Sequence, residues 1–167
     1  METVKEIILN SKEIDRKISR MAYEIYESNF KEQALVIAGI NGQGYILAGL
    51  LANQLMAISS IQADLMEINL DKNKPHLSKV ELSGKKEEVI GKSVIVVDDV
   101  LNTGRTLIYS LRPFLDMKVK KIEIAVLVDR SHIKFPVKSN FKGLSLSTTL
   151  NDHVIVSLNE EKEVYLI

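Results

Sequence analysis

Three apolar or largely apolar runs lie along the chain, and a short polar turn follows each of them. The runs are Ala34–Ile40, Val94–Val97 and Ile122–Val128. Because apolar residues occupy successive rather than alternate positions, each run predicts a strand that is buried on both faces, as in a parallel sheet. Segments with helical periodicity lie between these strands. The order predicts an α/β fold with right-handed crossovers.

The helical segments are recognised from the spacing of their apolar residues. In Ile14–Tyr26 these residues recur at helical intervals with charges between them, after the capping signal Asn10-Ser11. A second helix is predicted over Tyr45–Ala57. A third is predicted over Leu107–Leu115, with Pro113 as an irregularity near its end.

Shorter β-prone runs flank this α/β pattern. Ile7–Leu9 is a candidate edge strand, and Ile61–Leu70 alternates enough to form a strand that pairs with Lys79–Ser83 across a polar loop. Val154–Leu158 and Val164–Ile167 are separated by a charged turn and predict a closing hairpin or a pair of edge strands.

Length and composition fit a single globular domain. We expect residues 1–167 to form one domain, since 167 residues is close to one domain's worth of chain. The chain is 46% hydrophobic and 26% charged, which argues against long disorder. No apolar run approaches the about 20 residues of a membrane span, and the start of the chain lacks a signal peptide pattern. Cysteine is absent, which excludes disulfides and thiolate chemistry and fits the cytoplasmic location that we expect.

The candidate chemistry lies in the polar loop after the middle strand. Thr103–Thr106 suits a phosphate, because Gly104 lets the backbone approach, the threonine hydroxyls donate and Arg105 adds positive charge. The helix that follows offers unpaired N–H groups and a positive dipole end. Asp98 and Asp99 cannot favour the same phosphate, so their oxygens should face hydroxyl groups, a metal ion or both. Phosphate, vicinal hydroxyls and a divalent cation together describe a phosphorylated ribose.

The same stretch carries a resemblance to a known family. Val94–Thr106 resembles the phosphoribosyl pyrophosphate (PRPP) signature of the type I phosphoribosyltransferases, in which apolar residues precede an Asp-Asp pair and a Thr-Gly-Xaa-Thr loop. Leu127–His132 and Asn140–Gly143 are similar to one branch, the pyrimidine operon attenuation regulators that double as uracil phosphoribosyltransferases. The likeness runs loosely over residues 14–156. It implies a doubly wound, mainly parallel sheet with helices on both faces and a small, mobile hood over the substrate.

The resemblance also implies which residues act on the substrate. The residues expected to bind PRPP are Val97, Asp98, Asp99, Val100, Leu101, Asn102, Thr103, Gly104, Arg105 and Thr106. In the family's reaction a base nitrogen displaces pyrophosphate, and positive charge builds on the ribose ring. Asp98 and Asp99 are the expected catalytic residues, because carboxylates beneath the ribose stabilise that charge. The same two residues are the candidate ligands of Mg²⁺.

The turn after the first buried strand is the expected pyrophosphate loop. Its residues are Asn41, Gly42, Gln43 and Gly44. They offer backbone N–H groups, but the attenuation-regulator branch carries two cationic side chains here and this chain has neither. Charge-assisted hydrogen bonds are about twice as strong as neutral ones, so this turn should bind pyrophosphate more weakly than a turn with cationic side chains.

Base recognition is expected near the end of the third buried strand and beyond it. The resemblance assigns this role to Arg130, Lys142 and Gly143, with backbone groups beside the latter two contacting the edge of a pyrimidine. Ser147-Thr148 stands where the branch usually has a Pro-Thr pair, which leaves the identity of the base open. His132 is either a general base or, as is more common for a lone loop histidine, a hydrogen-bonded structural residue.

Two functions therefore agree with the sequence. One is an active, Mg²⁺-dependent phosphoribosyltransferase that uses PRPP and a pyrimidine, uracil first among them. The other is a nucleotide-sensing regulator that keeps the 5′-phosphate loop and has lost useful turnover. The expected partners are PRPP, a nucleobase and further copies of the chain in a homodimer or larger oligomer, without a membrane. RNA is a further expected partner on family resemblance alone. The 22 basic residues balance 22 acidic ones, so the chain has no net positive charge that would attract RNA over a long distance.

Overall fold

Nine strands and four α-helices make up residues 4–167, the part of the chain that the computed structural model describes. In chain order they are β1 (Glu6–Leu9), α1 (Ser11–Asn29), β2 (Ala34–Ile40), α2 (Gln43–Ile58), β3 (Gln62–Asn69), β4 (Glu81–Leu82), β5 (Ser93–Leu101), α3 (Arg105–Ser110), α4 (Arg112–Leu115), β6 (Lys121–Asp129), β7 (Phe141–Ser145), β8 (Val154–Ser157) and β9 (Glu163–Leu166). Over these described residues, no helix is both long and apolar enough to cross a membrane.

A six-stranded sheet in the order β4-β3-β2-β5-β6-β7 forms the centre of the molecule. The neighbours from β3 through to β7 run parallel, and only the short edge strand β4 is antiparallel to its neighbour β3. The three apolar runs in the sequence are β2, β5 and β6, which lie side by side in the middle of this sheet. The predicted doubly wound, mainly parallel α/β sheet is confirmed.

Helices cover both faces of the sheet, which explains why the central strands carry apolar residues at most of their successive positions. Successive residues of a strand point to opposite faces. Ile95 and Val97 pack in a core cluster with residues of α1 and α2, whereas Val94 and Val96 pack in a second cluster with Leu107 of α3 and Phe114 of α4. β5 therefore contributes to both halves of the core.

The order of the strands reverses between β2 and β5. After β2 the chain continues through α2 to β3 on one side, and after β5 it continues through α3 and α4 to β6 on the other side. Open sheets of this kind bind ligands in the crevice outside the carboxyl ends of the two strands at such a reversal. Here that crevice lies between the turn 41–44 and the loop 102–104.

A small antiparallel sheet, in the order β1-β9-β8, joins segments that are far apart in the chain. Ile7 of β1 is paired with Tyr165 of β9, and β8 and β9 form the predicted hairpin. Val156 and Val164 of these strands are buried in the same cluster as α1 and α2. The small sheet is thus packed on the main core.

Two elements differ from the predictions. The single helix expected over Leu107–Leu115 is divided into α3 and α4, with Pro113 in the first turn of α4. Pro113 has no N–H and its ring obstructs the preceding turn, so α3 cannot continue, whereas the first turn of a new helix does not need that N–H. The segment after Asn140 forms the edge strand β7, for which no strand was predicted.

Candidate active site at the carboxyl ends of β2 and β5

The loop between β5 and α3 surrounds a small cavity of about 50 Å³, lined by Asp98 and residues 100–107. Gly104 in this loop has φ +85°, in the left-handed region that glycine tolerates. A Cβ atom at Gly104 would lie 2.3 Å from Cγ2 of Val137. Both the backbone conformation and the close packing therefore require glycine at this position.

The backbone of the loop is oriented by the segment that follows β6. The carbonyl oxygen of Thr103 accepts hydrogen bonds from the N–H groups of Lys134 at 2.8 Å and Phe135 at 3.1 Å. In a trans peptide the C=O and N–H groups point in opposite directions, so the N–H of Gly104 points away from that segment. The first-turn N–H groups of α3 have no intrahelical acceptor, and that of Arg105 is 3.3 Å from Oγ1 of Thr103. The loop thus presents backbone donors suited to an anion.

Asp98 is buried in the crevice between β5 and the turn 41–44. It is 4% exposed, and a Cβ atom at Gly44 would lie 2.9 Å from its Oδ1. That oxygen accepts a hydrogen bond from the backbone N–H of Asp99 at 2.9 Å, and Nζ of Lys72 is 3.4 Å away. Burial, followed by the negative charge of Asp99, raises the pKa of Asp98 to about 8, and Lys72 offsets part of this rise. A cation beside Asp98 would favour its ionised form.

Asp99 is the more accessible of the two acids, and its Oδ1 accepts a hydrogen bond from the N–H of Val100 at 2.9 Å. Among residues 4–167, no group of three or more His, Cys, Asp or Glu side chains is placed to hold a metal ion. Mg²⁺ is commonly held by one or two carboxylates together with substrate phosphates and water. Asp98 and Asp99 therefore fit a Mg²⁺ ion that binds with a phosphorylated substrate.

The polar side chains of the turn after β2 form hydrogen bonds to the backbone of neighbouring segments. Oδ1 of Asn41 accepts a hydrogen bond from the N–H of Leu70 at 3.2 Å, and Oε1 of Gln43 accepts one from the N–H of Leu158 at 2.8 Å. Gly42, at φ +89°, precedes the first turn of α2. The turn faces the crevice without a cationic side chain of its own, and its first-turn N–H groups are the donors that it offers.

Arg130, at the end of β6, is buried and makes five hydrogen bonds to oxygen atoms of two loops. It donates to Oδ1 of Asn102 at 2.8 Å and twice to Oγ1 of Thr148, at 2.9 and 2.6 Å. It also donates to the carbonyl oxygens of Thr149 at 3.1 Å and Asp152 at 2.8 Å. The guanidinium group expected to contact a base thus links the phosphate loop to residues 148–152.

The two other residues expected to bind a base, Lys142 and Gly143, lie in β7 beside β6. Their carbonyl oxygens accept hydrogen bonds from Nη2 of Arg20 in α1, at 3.1 and 2.8 Å. Gly143 allows close strand packing, since a Cβ atom there would lie 2.6 Å from the carbonyl oxygen of Leu127. His132 has Nε2 3.2 Å from the carbonyl oxygen of Thr148, which fits the structural alternative for this residue.

The segment between β3 and β4 extends over the crevice and contributes two residues that the sequence did not single out. Lys72 approaches Asp98, and Nδ1 of His76 is 2.7 Å from Nη2 of Arg105. We call residues 71–80 the hood segment. No spacing pattern marks Lys72 or His76, because only the path of this segment across the sheet brings them to the site.

Comparison with known proteins agrees with this arrangement. The family model for the phosphoribosyl transferase domain matches residues 5–161. The chain belongs to this family. Among its relatives is the bifunctional protein PyrR of Macrococcus caseolyticus, 33% identical, with 97% of this chain and 98% of the relative covered. The bifunctional protein PyrR of Fusobacterium nucleatum is 32% identical, with 96% and 94% covered. The resemblance to the type I phosphoribosyltransferases and their attenuation-regulator branch is confirmed.

Solved structures support the same fold at lower sequence identity. The hypoxanthine phosphoribosyltransferase of Trypanosoma cruzi has a TM-score of 0.80 at 16% identity, with 96% of this chain and 95% of the other covered. A hypoxanthine-guanine phosphoribosyltransferase of Bacillus anthracis has a TM-score of 0.72 at 18% identity, with 87% and 84% covered. These similarities establish the fold of the family.

Proposed function

We propose that this protein transfers the ribose 5-phosphate group of PRPP to uracil, giving a nucleoside monophosphate and pyrophosphate. The observation that carries the proposal is the position of the phosphate loop, directly after the Asp98-Asp99 pair at the point where the strand order reverses. Family membership supports the transfer of a phosphoribosyl group. The choice of uracil rests on the likeness to the attenuation-regulator branch.

In this proposal the loop binds PRPP and the two acids act on the sugar. Residues 97–106 contact PRPP, and Thr103–Thr106 hold its 5′-phosphate through backbone N–H groups, hydroxyls and the Arg105 guanidinium. These contacts position PRPP for the reaction and do not themselves take part in making or breaking bonds. Asp98 and Asp99 face the ribose. As a base nitrogen forms its bond to the anomeric carbon and the bond to pyrophosphate breaks, their carboxylates stabilise the positive charge on the ring.

Mg²⁺, when bound, neutralises charge on the leaving pyrophosphate. Asp98 and Asp99 are the residues of this chain that would hold it. The pyrophosphate itself is assigned to the N–H groups of Asn41, Gly42, Gln43 and Gly44. The base is assigned to Arg130, Lys142 and Gly143, on the side of the crevice toward β7, through polar groups other than the two carbonyl oxygens that already accept hydrogen bonds from Arg20.

A second candidate function is a nucleotide-sensing regulator with little turnover. The observation that favours it is the uncharged turn 41–44, in which the Asn41 and Gln43 side chains are already hydrogen-bonded within the protein. Such a turn binds a nucleoside monophosphate without penalty but holds pyrophosphate weakly. The names of the PyrR relatives describe bifunctional proteins, which agrees with either candidate.

One assay separates the two candidates. The full-length chain is incubated with PRPP, Mg²⁺ and each common nucleobase, and the release of pyrophosphate is measured. We expect release with uracil and a large loss in Asp99→Asn, whereas Asp116→Asn, which changes an exposed acid after α4, should behave as wild type. Release that Asp99→Asn leaves unchanged would exclude the proposed role of the acids. No release with any base, together with tight binding of UMP, would favour the regulator.

Assembly and RNA binding are further proposals that rest on the family. We infer a homodimer or larger homo-oligomer, which sedimentation equilibrium tests directly. RNA binding by a chain of zero net charge would need a local basic surface, and its affinity should fall steeply with added salt. If no RNA is retained even at low salt, the RNA proposal is wrong and the transferase proposal is unaffected.

A further inference from the structure

The contact between Asn102 and Arg130 fixes the direction of an amide at the phosphate loop. Asn102 is exposed at the start of the loop, and Nη1 of the buried Arg130 donates to its Oδ1 at 2.8 Å. A guanidinium group has donors and no acceptor. The atom of the Asn102 amide that faces Arg130 must therefore be the oxygen, and the Nδ2 group must point away from Arg130.

Arg130 is itself held so firmly that it can orient a neighbour. Its Nε and Nη2 both donate to Oγ1 of Thr148, and Nη2 also donates to the carbonyl oxygens of Thr149 and Asp152. Burial keeps water from competing for these donors, since only 8% of Arg130 is exposed. A rotation of the guanidinium group would break several of these hydrogen bonds at once.

The oriented amide lies beside the cavity assigned to a phosphate. Asn102 lines this cavity together with Thr103–Thr106. With its oxygen facing Arg130, Asn102 has two N–H donors left for a ligand. The opposite orientation would present an acceptor oxygen, which repels a phosphate. The direction of this amide therefore decides whether Asn102 helps or hinders the binding of an anion.

We propose that Arg130 is a positioning residue for the phosphorylated sugar. It holds the Asn102 amide so that Nδ2 donates a hydrogen bond to an oxygen of the 5′-phosphate. The inference rests on the proposed function, because it requires that this loop bind the 5′-phosphate. It gives Arg130 a role that acts through Asn102 and does not depend on contact with the base.

A double-mutant cycle on the full-length chain tests this role. The dissociation constant of ribose 5-phosphate is measured by calorimetry for the wild type, Asn102→Ala, Arg130→Met and the double variant. Each single substitution should weaken binding by about tenfold, the effect of losing a hydrogen bond to a charged group. The double variant should bind no more weakly than Asn102→Ala, because Arg130 then has no amide to orient. Effects that multiply would overturn the inference, since they would mean that Arg130 acts independently of Asn102.

Two further variants separate orientation from a merely structural effect. Asn102→Asp keeps an acceptor for Arg130 but replaces the donor by a negative charge, so its binding should be weaker than that of Asn102→Ala. Binding by Asn102→Asp as tight as that of the wild type would overturn the inference. Arg112→Met removes an exposed guanidinium group on α4 as the matched control and should leave the dissociation constant unchanged.

The NMR signal of the Asn102 side-chain amide reports directly on contact with the ligand and does not depend on the free energy of unfolding. In a ¹⁵N spectrum the Asn102 NH₂ resonance, assigned by its loss in Asn102→Ala, should shift when ribose 5-phosphate is added. A resonance that does not move while the wild type binds would overturn the inference. If Arg130→Met does not fold, Thr148→Val, which removes the main acceptor of Arg130, replaces it in the cycle with the same expectation.

The outcomes distinguish this inference from the proposed function. If the wild type binds neither ribose 5-phosphate nor PRPP, the phosphate loop has been assigned wrongly and both proposals fall. If the wild type binds both and the two substitutions act independently, only the role of Arg130 is wrong, and the proposed transferase function stands.

Discussion

At the scale of single residues, two glycines illustrate how the site depends on backbone conformation. Gly42 and Gly104 both have positive φ, at +89° and +85°, and each precedes a helix at the crevice. Around Gly42 there is nothing within 4 Å of the place where a Cβ atom would lie, whereas at Gly104 the place is 2.3 Å from Val137. The two positions share a positive φ but differ in ψ, which is −136° at Gly42 and 0° at Gly104, and they differ in the room that they have for a side chain.

This difference predicts unequal effects of alanine. Gly42→Ala should lower the free energy of unfolding by about 1–3 kcal/mol, the cost of a backbone conformation (φ +89°, ψ −136°) that residues with a Cβ atom rarely adopt. Gly104→Ala should lower the free energy of unfolding by about 1–2 kcal/mol for left-handed backbone and by about 1–3 kcal/mol more for overpacking against Val137, and it should also weaken the binding of ribose 5-phosphate. Urea denaturation measures the first effect and calorimetry the second. A loss of stability in Gly104→Ala no larger than the about 1–2 kcal/mol of left-handed backbone alone would contradict the packing seen at Gly104.

Asp98 predicts a dependence of stability on pH. The pKa of an aspartate in an unfolded chain is about 3.9, while burial raises that of Asp98 to about 8 in the folded protein. Between these values Asp98 keeps its proton in the folded state and loses it in the unfolded chain, so the free energy of unfolding falls as the pH rises. Asp98→Asn should therefore gain stability relative to the wild type between about pH 4 and about pH 8.

The measurement for Asp98→Asn is the urea midpoint at several pH values in the absence of ligand. Asp116→Asn is the control at an exposed position. A difference between Asp98→Asn and the wild type that stays constant over this range would show that the carboxyl group is not held protonated by the crevice.

At the scale of elements, α1 shows how local sequence fixes where a helix begins. Oδ1 of Asn10 accepts a hydrogen bond from the N–H of Glu13 at 3.0 Å, and the carboxylate of Glu13 accepts one from the N–H of Asn10 at 2.8 Å. This capping box satisfies donors that the first turn leaves without partners. The cap and the helical spacing that follows it are both visible in the sequence.

Removing this cap should destabilise the protein without changing the site. Asn10→Ala should lower the free energy of unfolding by about 1 kcal/mol, the usual effect of losing a capping side chain. Ser11→Ala, one residue later, is the matched control and should have a smaller effect. Urea denaturation measures both. If Asn10→Ala were as stable as Ser11→Ala, the capping hydrogen bonds would have no net effect in solution.

The elements that the sequence predicted less well depend on their neighbours. β7 has only five residues. It forms a strand because it pairs with the edge of β6 and because Arg20 of α1 donates hydrogen bonds to two of its carbonyl oxygens. The division of the third helix was visible at Pro113, but the residue at which the chain resumes a helix was not. Short elements of this kind owe their stability to packing more than to propensity.

At the scale of the whole molecule, the two core clusters share the central strands. β5 places Ile95 and Val97 in one cluster and Val94 and Val96 in the other, so neither half of the core can lose its packing alone. This connection agrees with one domain over the described residues 4–167, and the single domain of residues 1–167 stays a prediction. A single domain of this size is expected to unfold in one cooperative transition.

Substitutions in opposite clusters test this cooperativity. Leu51 and Phe114 are fully buried on opposite faces of the sheet. Leu51→Ala should lower the free energy of unfolding by about 2–5 kcal/mol and Phe114→Ala by about 3–5 kcal/mol. In each variant, circular dichroism and tyrosine fluorescence should report the same urea midpoint. Two separate midpoints in either variant would show that the faces unfold independently, and that the single-domain prediction is wrong.

The buried strands, most of the helices and the resemblance carried by residues 94–106 were predictable from the order of the amino acids. These features are local, because burial on both faces, helical spacing and turn chemistry act over a few neighbouring residues. The side chains that lie against residues 94–106 are known only from the folded chain. Lys72, His76 and Arg130 reach Asp98, Arg105 and Asn102 across 26, 29 and 28 positions of the chain. No periodicity records contacts at such separations, since the packing of the hood segment, the sheet and the loops creates them.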